Sequence, residues 1–128
     1  FVLKKIILEA KKINKQKKKY KKIFVGNLEV KRDWGWAPEY VELMFEIAKS
    51  KYREDFVIAT GRTSKLEYLV KQIIDKNGLS MKQNIKISKK FTRKNEIFEN
   101  YADIKKIKKF FNWKPKYTIN KILYNLQK

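Results

Sequence analysis

The strongest chemical signal in this sequence is the run Lys31-Arg32-Asp33-Trp34. A guanidinium group binds a phosphate through two parallel hydrogen bonds, and a neighbouring carboxylate can hold it in orientation. Because Arg32 stands beside a predicted strand end and is followed by Asp33, the run suits a phosphate-bearing ligand. The alternative is a structural turn in which Arg32 pairs with Asp33 and the nearby tryptophans only pack.

The composition excludes several kinds of catalytic and metal site. The chain contains no cysteine and no histidine, so it lacks disulfides, thiolate metal ligands, the commonest general base and the commonest metal ligand. We therefore assign no metal-binding residue. No apolar run approaches the roughly 20 residues of a membrane span, and no signal-peptide pattern is present. We expect a soluble, cytoplasmic protein and, because Phe1 is not a translation start, one that begins partway through a longer polypeptide.

The formal net charge is +20, which raises an alternative function. A Lys-rich first helix could make the chain a basic module that binds nucleic acid or an anionic surface. Of the 33 basic residues, however, 29 are Lys and 4 are Arg, whereas phosphate and base recognition favours the planar fork of Arg. We interpret most of the excess Lys as solvated surface, and expect neither nucleic acid nor membrane as the partner.

The elements that must position Arg32 begin with a helix and a strand. Apolar residues recur at helical spacing near the N-terminus, which predicts a helix docked on a core with a basic outer face; they are Val2, Leu3, Ile6, Ile7, Ala10 and Ile13. Residues 15–22 are more polar and are expected to fray into a loop. Ile23-Phe24-Val25 is predicted to be a short apolar strand, ended by the turn signal Gly26-Asn27.

Two further elements are predicted in the middle of the chain. Pro38 fits the first turn of a helix, whose apolar positions repeat at helical spacing; these are Val41, Met44, Phe45 and Ala48. The apolar run Phe56–Ala59 is predicted to be a second buried strand, closed by Thr60-Gly61.

Helices dominate the last half of the chain. Ser64 and Glu67 are spaced as a capping box that opens a helix reaching Asn77, and Gly78 is a natural stop. The other predicted elements are a strand at Ile85–Ser88 and helices at Asp103–Phe111 and Thr118–Leu126. The pattern is mixed α/β, with no repeat and no internal domain boundary.

The stretch from Gly26 to Val41 is specific enough to indicate a family. It reads GNLEVKRDWGWAPEYV and resembles the GNL-x-x-KRDWG-x-A-x-(D/E)-YVE signature of GDP-mannose 4,6-dehydratases. Other matches follow in family order over nearly the whole chain: FVLKKI, FVIATG, FTRKNEI and FNWKP. The resemblance implies an α/β fold, namely the C-terminal substrate-binding part of an extended Rossmann-type dehydrogenase/reductase, mostly helices with a few short strands. Residues 1–128 would form one sugar-nucleotide-binding domain.

The resemblance also implies roles for five residues. Arg32 would reach the diphosphate of the sugar nucleotide, and Arg93 its diphosphate side. Glu96 would accept hydrogen bonds from the ribose hydroxyls, since a carboxylate can accept from two vicinal hydroxyls. Lys5 would approach the diphosphate, and Val25 lies on the strand whose backbone abuts the base. The FNWKP ending would be structural, with its Trp and Pro locking the last helix onto the domain.

Some of these assignments have structural alternatives. Lys94 stands where the family usually has Pro, which leaves the backbone around Arg93 less constrained. Arg93 and Glu96 could form a surface ion pair three residues apart, and Lys5 could be a solvated helix residue.

Complete family members contain parts that this sequence lacks. They bind NADP in an N-terminal Rossmann half, with a Gly-rich turn around the pyrophosphate and a catalytic Tyr-x-x-x-Lys pair. Neither is recognisable here, and we interpret the Tyr101–Lys105 spacing as coincidence. We therefore expect the chain alone to bind a GDP-sugar nucleotide, to bind no cofactor and to have no dehydratase activity. Its partner would be an N-terminal Rossmann half or further copies in a homo-oligomer. A third interpretation, a subunit that docks on a separate Rossmann partner, predicts an exposed apolar face.

Overall fold

The computed structural model describes residues 2–92 and 95–128, in which six α-helices alternate with five short strands. The helices are α1 (Val2–Lys15), α2 (Ala37–Lys49), α3 (Leu66–Lys76), α4 (Met81–Asn84), α5 (Lys105–Phe111) and α6 (Ile119–Leu126). The strands are β1 (Ile23–Val25), β2 (Lys31–Asp33), β3 (Thr63–Lys65), β4 (Ile85–Ile87) and β5 (Glu99–Asn100), with a 3-10 turn at Lys89–Phe91. The predicted mixed fold of helices and a few short strands is confirmed.

The strands form two small sheets. β1 pairs in parallel with β4, which confirms both predicted strands. β2 is the middle strand of the other sheet, antiparallel to β3 and parallel to β5, so that Arg32 lies opposite Ser64 and Asn100. These three strands are short and polar, and they have no β pattern in the sequence from which they could be predicted.

The larger core lies between α1 and α3. Five apolar residues of each helix are buried: Leu3, Ile6, Ile7, Ala10 and Ile13 on α1, and Leu66, Leu69, Val70, Ile73 and Ile74 on α3. The predicted stripe of α1 is thus confirmed, apart from Val2, which is exposed. The Lys residues of this helix are exposed.

A smaller apolar cluster lies between α2 and α5. It contains Leu43, Ala59, Ile104, Ile107 and Trp113. The indole of Trp113 donates a hydrogen bond to the Ala59 carbonyl at 3.0 Å, so this residue anchors the segment that leads into α6 rather than α6 itself, which packs on the larger core. Asn112 adopts the left-handed conformation, with φ 47° and ψ 33°, as is tolerated by Asn.

Two local predictions are wrong. Phe56–Ala59 forms no strand in the described structure, because no neighbouring strand accepts or donates the hydrogen bonds of a ladder. Ser64 and Glu67 form no capping box: Ser64 lies in β3, and α3 begins after Lys65 without a side-chain cap. The first amides of α3 donate instead to carbonyls of the chain before β2, those of Val30 and Leu28.

Helix α2 is confirmed, with Pro38 in its first turn, but its orientation was not foreseen. The apolar residues whose spacing predicted the helix are exposed, and the helix buries Leu43 and Glu39 instead. None of the helices in the described ranges is long and apolar enough to cross a membrane.

Candidate functional site

A cleft of about 410 Å³ opens between α1, β1 and β2. Four of the five predicted site residues line it: Lys5, Val25, Arg32 and Glu96. They come from four separate points of the chain, which the fold brings to one place. The fifth, Arg93, lies outside the described residues, as does Lys94.

Arg32 is held at the cleft by three acceptors. Its Nη2 donates to Glu96 Oε1 at 3.1 Å, and its Nη1 donates to the carbonyls of Lys31 and Phe98 at 2.8 and 3.4 Å. The side chains of Arg32 and Glu96 are largely buried, with exposed fractions of 26% and 15%. A guanidinium has five N–H donors, so these bonds orient it without using its full capacity.

Asp33 does not orient Arg32, which corrects the role predicted for it and also the alternative of an Arg32–Asp33 turn. Adjacent strand residues point to opposite faces of a sheet. Asp33 accepts hydrogen bonds from the backbone amides of Thr60, Gly61 and Arg62 and from the Thr60 hydroxyl, at 2.7 to 3.3 Å. It therefore fixes the loop after Ala59 to β2, while Glu96 orients Arg32.

One wall of the cleft combines a cation with aromatic rings. Lys5 Nζ lies 4.2 Å from the centre of the Phe91 ring and 3.4 Å from the Phe24 carbonyl oxygen. Both rings are about half exposed at the cleft. Lys5 is thus part of a defined wall rather than a detached solvated side chain.

Gly26 allows the segment around Phe91 to close this wall. A β-carbon at Gly26 would collide with the Phe91 carbonyl, whose carbon would be 2.9 Å away. Val25, immediately before it, is buried in the cleft wall, and its carbonyl accepts from the Ser88 amide at 2.8 Å.

Comparison with known proteins shows which family the chain belongs to. The family model of GDP-mannose 4,6 dehydratase matches residues 1–126. The chain belongs to this family. It is 33% identical over 106 residues to GDP-mannose 4,6 dehydratase 1 of Arabidopsis thaliana, covering 80% of this chain and 28% of the relative. It is 30% identical over 145 residues to the Drosophila melanogaster GDP-mannose 4,6 dehydratase, covering 100% of this chain and 36% of the relative.

Two solved structures contain the fold of this chain. RMD from Pseudomonas aeruginosa, solved with NADPH, superposes with a TM-score of 0.83 at 16% identity, over 99% of this chain and 41% of that protein. The dTDP-glucose 4,6-dehydratase of Bacillus anthracis, solved with NAD, gives a TM-score of 0.75 at 22% identity, over 95% and 37%. The chain therefore has the fold of part of an extended Rossmann-type dehydrogenase/reductase, and it spans about a third of its curated relatives. The comparisons give no support to the basic-module alternative.

Sequence reasoning gave no site role to the three aromatic residues that line the cleft, which are Phe24, Trp34 and Phe91. The sequence predicts Phe24 as part of a strand and Phe91 as part of a motif, and Trp34 has a packing role only in the alternative interpretation of the run Lys31–Trp34. Trp34 lines the cleft and donates to the Ser64 carbonyl at 3.0 Å. Two of them carried a local signal, since Phe91 follows Lys90 and Trp34 precedes Gly35. The described residues contain no group of three or more Asp and Glu side chains placed to hold a metal ion.

Proposed function

We propose that this chain is the sugar-nucleotide-binding part of a GDP-mannose 4,6-dehydratase, and that the cleft holds the nucleoside diphosphate of a GDP-sugar. The observation that supports this most directly is the meeting of Lys5, Val25, Arg32 and Glu96 in one cleft. The names of the relatives in two kingdoms point to the same substrate class.

The diphosphate end of the ligand is assigned to the two cations. Arg32 is already oriented by Glu96 and two carbonyls, so binding a phosphate costs little further side-chain entropy. Lys5 adds a second positive charge from α1. Glu96 serves twice in this proposal: it holds Arg32 and offers a carboxylate to the ribose hydroxyls. The base is assigned to the aromatic side of the cleft beside Val25. Arg93 stays a prediction from the sequence.

In the complete protein we propose that residues 1–128 follow an NADP-binding Rossmann half. Similar solved proteins were crystallised with NADPH or NAD, and the cofactor would supply hydride transfer at the hexose. The described residues do not fit cofactor binding, because none of their strand-to-helix connections is a glycine-rich turn that could hold a pyrophosphate. A β-carbon at Gly35, after β2, would collide with the Tyr40 hydroxyl. This part binds and orients substrate, and a cytoplasmic location stays a prediction.

The proposal is tested by calorimetric titration of the 128-residue chain with GDP-mannose and with GDP. Arg32→Ala should weaken both ligands about 10- to 100-fold, since hydrogen bonds to charged groups contribute about 1.5–3 kcal/mol. Arg53→Ala is the matched control, because Arg53 is exposed, donates among the described residues only to the local carbonyls of Ser50 and Tyr52, and carries the same charge. Equal affinity in the wild type and Arg32→Ala would remove Arg32 from the site.

The ribose assignment needs its own comparison. The wild type should prefer GDP over 2′,3′-dideoxy-GDP, and Glu96→Gln should lose most of that preference. If both proteins discriminate equally, Glu96 acts only through Arg32 and the ribose lies elsewhere.

A further inference from the structure

A second cavity, of about 550 Å³, lies beside the loop that follows Ala59. Two stretches of the chain line it, residues 60–62 and residues 101–115. It shares no lining residue with the cleft, whose volume is about 410 Å³. The proposed function therefore assigns no ligand to this second cavity.

Positive charge dominates the lining of the second cavity. Its twelve lining residues include four cations and one acid, which are Arg62, Lys105, Lys108, Lys114 and Asp103. The Asp103 carboxylate lies 3.7 Å from Lys105 Nζ. Among the described residues, no carboxylate forms an ion pair with the other three cations. Because like charges in one cavity repel each other, an anion that binds between them is stabilised.

Arg62 is the cation of this cavity best suited to a phosphate. The chain has four Arg among its 33 basic residues, and the planar fork of a guanidinium binds phosphate through two hydrogen bonds. Arg32 donates to Glu96, and Arg53 donates to local carbonyls. Within the described residues, by contrast, only the backbone amide of Arg62 donates a hydrogen bond. Its guanidinium therefore has donors to spare for a ligand.

The two stretches that carry these cations are held together by the fold. The Asp33 carboxylate accepts hydrogen bonds from the backbone amides of residues 60–62. The indole of Trp113 donates to the Ala59 carbonyl, and Ile104 packs in the same apolar cluster as both residues. The backbone around the cavity is thus fixed before a ligand arrives, which lowers the entropy cost of binding.

We propose that the second cavity binds a small diphosphate. Three cations without a carboxylate partner match a ligand that carries more than one negative charge. The volume exceeds that of the nucleotide cleft, so there is room for a group attached to the diphosphate. Tyr101 lines the cavity and is 66% exposed, so its ring can contact such a group. Tyr101 and Lys105, whose spacing has no catalytic meaning here, thereby share a role in binding.

The test is a titration of the 128-residue chain with inorganic pyrophosphate, followed by heteronuclear NMR. The chain carries Arg32→Ala, so that the cleft does not compete for the probe. The amides of residues 60–62 and the Trp113 indole N–H should shift and saturate at one pyrophosphate per chain. Adding Arg62→Ala should weaken binding about tenfold, because a charge-assisted bidentate contact is lost. Adding Arg53→Ala instead removes the same charge elsewhere and should leave the affinity unchanged.

A second variant and two further probes sharpen the assignment. Lys108→Ala should also weaken pyrophosphate, whereas Lys12→Ala, at an exposed residue of α1, should not. Pyrophosphate should bind about tenfold or more tightly than inorganic phosphate, because it reaches more than one cation. Phenyl phosphate identifies the source of the ligand. If it binds more tightly than inorganic phosphate and Tyr101→Ala abolishes the difference, the ligand is an organic diphosphate; equal binding indicates an inorganic one.

Three results would overturn the proposal. They are shifts that spread over the Lys-rich surface without saturating, shifts confined to residues of the cleft, and equal affinity in the variants with Arg62→Ala and Arg53→Ala. The NMR spectrum of each variant shows directly whether the fold is intact. The inference does not rest on the nucleotide cleft: GDP can fail to bind there while pyrophosphate binds in the second cavity, and the reverse.

Discussion

Helices α1 and α2 have nearly the same length, 14 and 13 residues, but they differ in how many apolar side chains they bury. The Lys-rich α1 buries five apolar side chains, whereas the more apolar α2 buries one, Leu43, together with the carboxylate of Glu39. The difference lies in their neighbours. α1 meets a complete apolar face on α3, while α2 meets only the small cluster around Trp113. Burial is decided by a partner surface as much as by apolar content.

The larger core also supports the cleft. Val25, Val30 and Leu66 are buried in it and line the cleft at the same time. The candidate site is therefore built on the larger core, whereas the exposed apolar face of α2 belongs to the helix that packs on the smaller cluster.

The largest expected effect is in the larger core between α1 and α3. Ile73 of α3 is fully buried in the larger core, so Ile73→Ala should lower the free energy of unfolding by about 2–5 kcal/mol through lost burial and a residual cavity. Ile73→Val, as control, should cost about 0.5–1.5 kcal/mol. Urea unfolding measures both. A loss no greater for Ala than for Val would mean that this core is loosely packed.

The next effect links the same region to the cleft. Gly26→Ala forces the Phe91 backbone away and should cost about 1–3 kcal/mol, as overpacked sites do, with a loss of GDP affinity. Gly78→Ala is the control: its positive φ of 64° is strained by a side chain, but no atom lies within 4 Å. Gly78→Ala should therefore leave GDP affinity unchanged, and unchanged affinity in Gly26→Ala would separate Phe91 from the site.

A smaller effect is expected in the smaller apolar cluster, which includes Trp113. Trp113→Phe keeps an aromatic ring but removes the donor to the Ala59 carbonyl. The loss should be about 1–2 kcal/mol, because a largely buried acceptor is left without its partner. Thermal or urea unfolding measures it. No change would show that water replaces the indole and that this cluster is open.

The sequence was most informative where local pattern and tertiary partner agree. The stripe of α1 was predictable because its period matches its burial, and β1 because it is a short apolar run ended by the turn signal Gly26-Asn27. Strands β3 and β5 were not predictable, since each pairs with β2 across a long stretch of chain and has no apolar pattern of its own. The cleft was predictable through motif residues such as Arg32 and Glu96, but not their mutual hydrogen bond, which joins residues 64 positions apart. Phe56–Ala59 had the pattern of a strand without a neighbour to pair with.

Tyr40, which packs against the smaller apolar cluster, makes the free energy of unfolding depend on pH. Burial, followed by the charges of Asp33 and Glu39, raises the pKa of Tyr40 from 10.0 to about 12. The phenol is thus neutral in the folded chain over a range where it ionises in the unfolded chain. Its stabilising contribution is complete below pH 10 and is lost between pH 10 and about 12. Tyr40→Phe should be less sensitive to pH in that window; identical pH profiles of unfolding would place Tyr40 in contact with water.

The smallest effect is expected at Phe45, on the exposed face of α2. Phe45→Ser removes a ring that is 61% exposed and whose centre lies 4.3 Å from Lys49 Nζ. The free energy of unfolding of the isolated chain should change by about 0.5 kcal/mol or less. A residue that supports its own domain cannot be removed at so little cost. If Phe45→Ser destabilised the chain as strongly as Trp113→Phe, α2 would be part of a finished domain. A negligible change in stability would show that the Phe45 ring contributes little to the fold of the described residues.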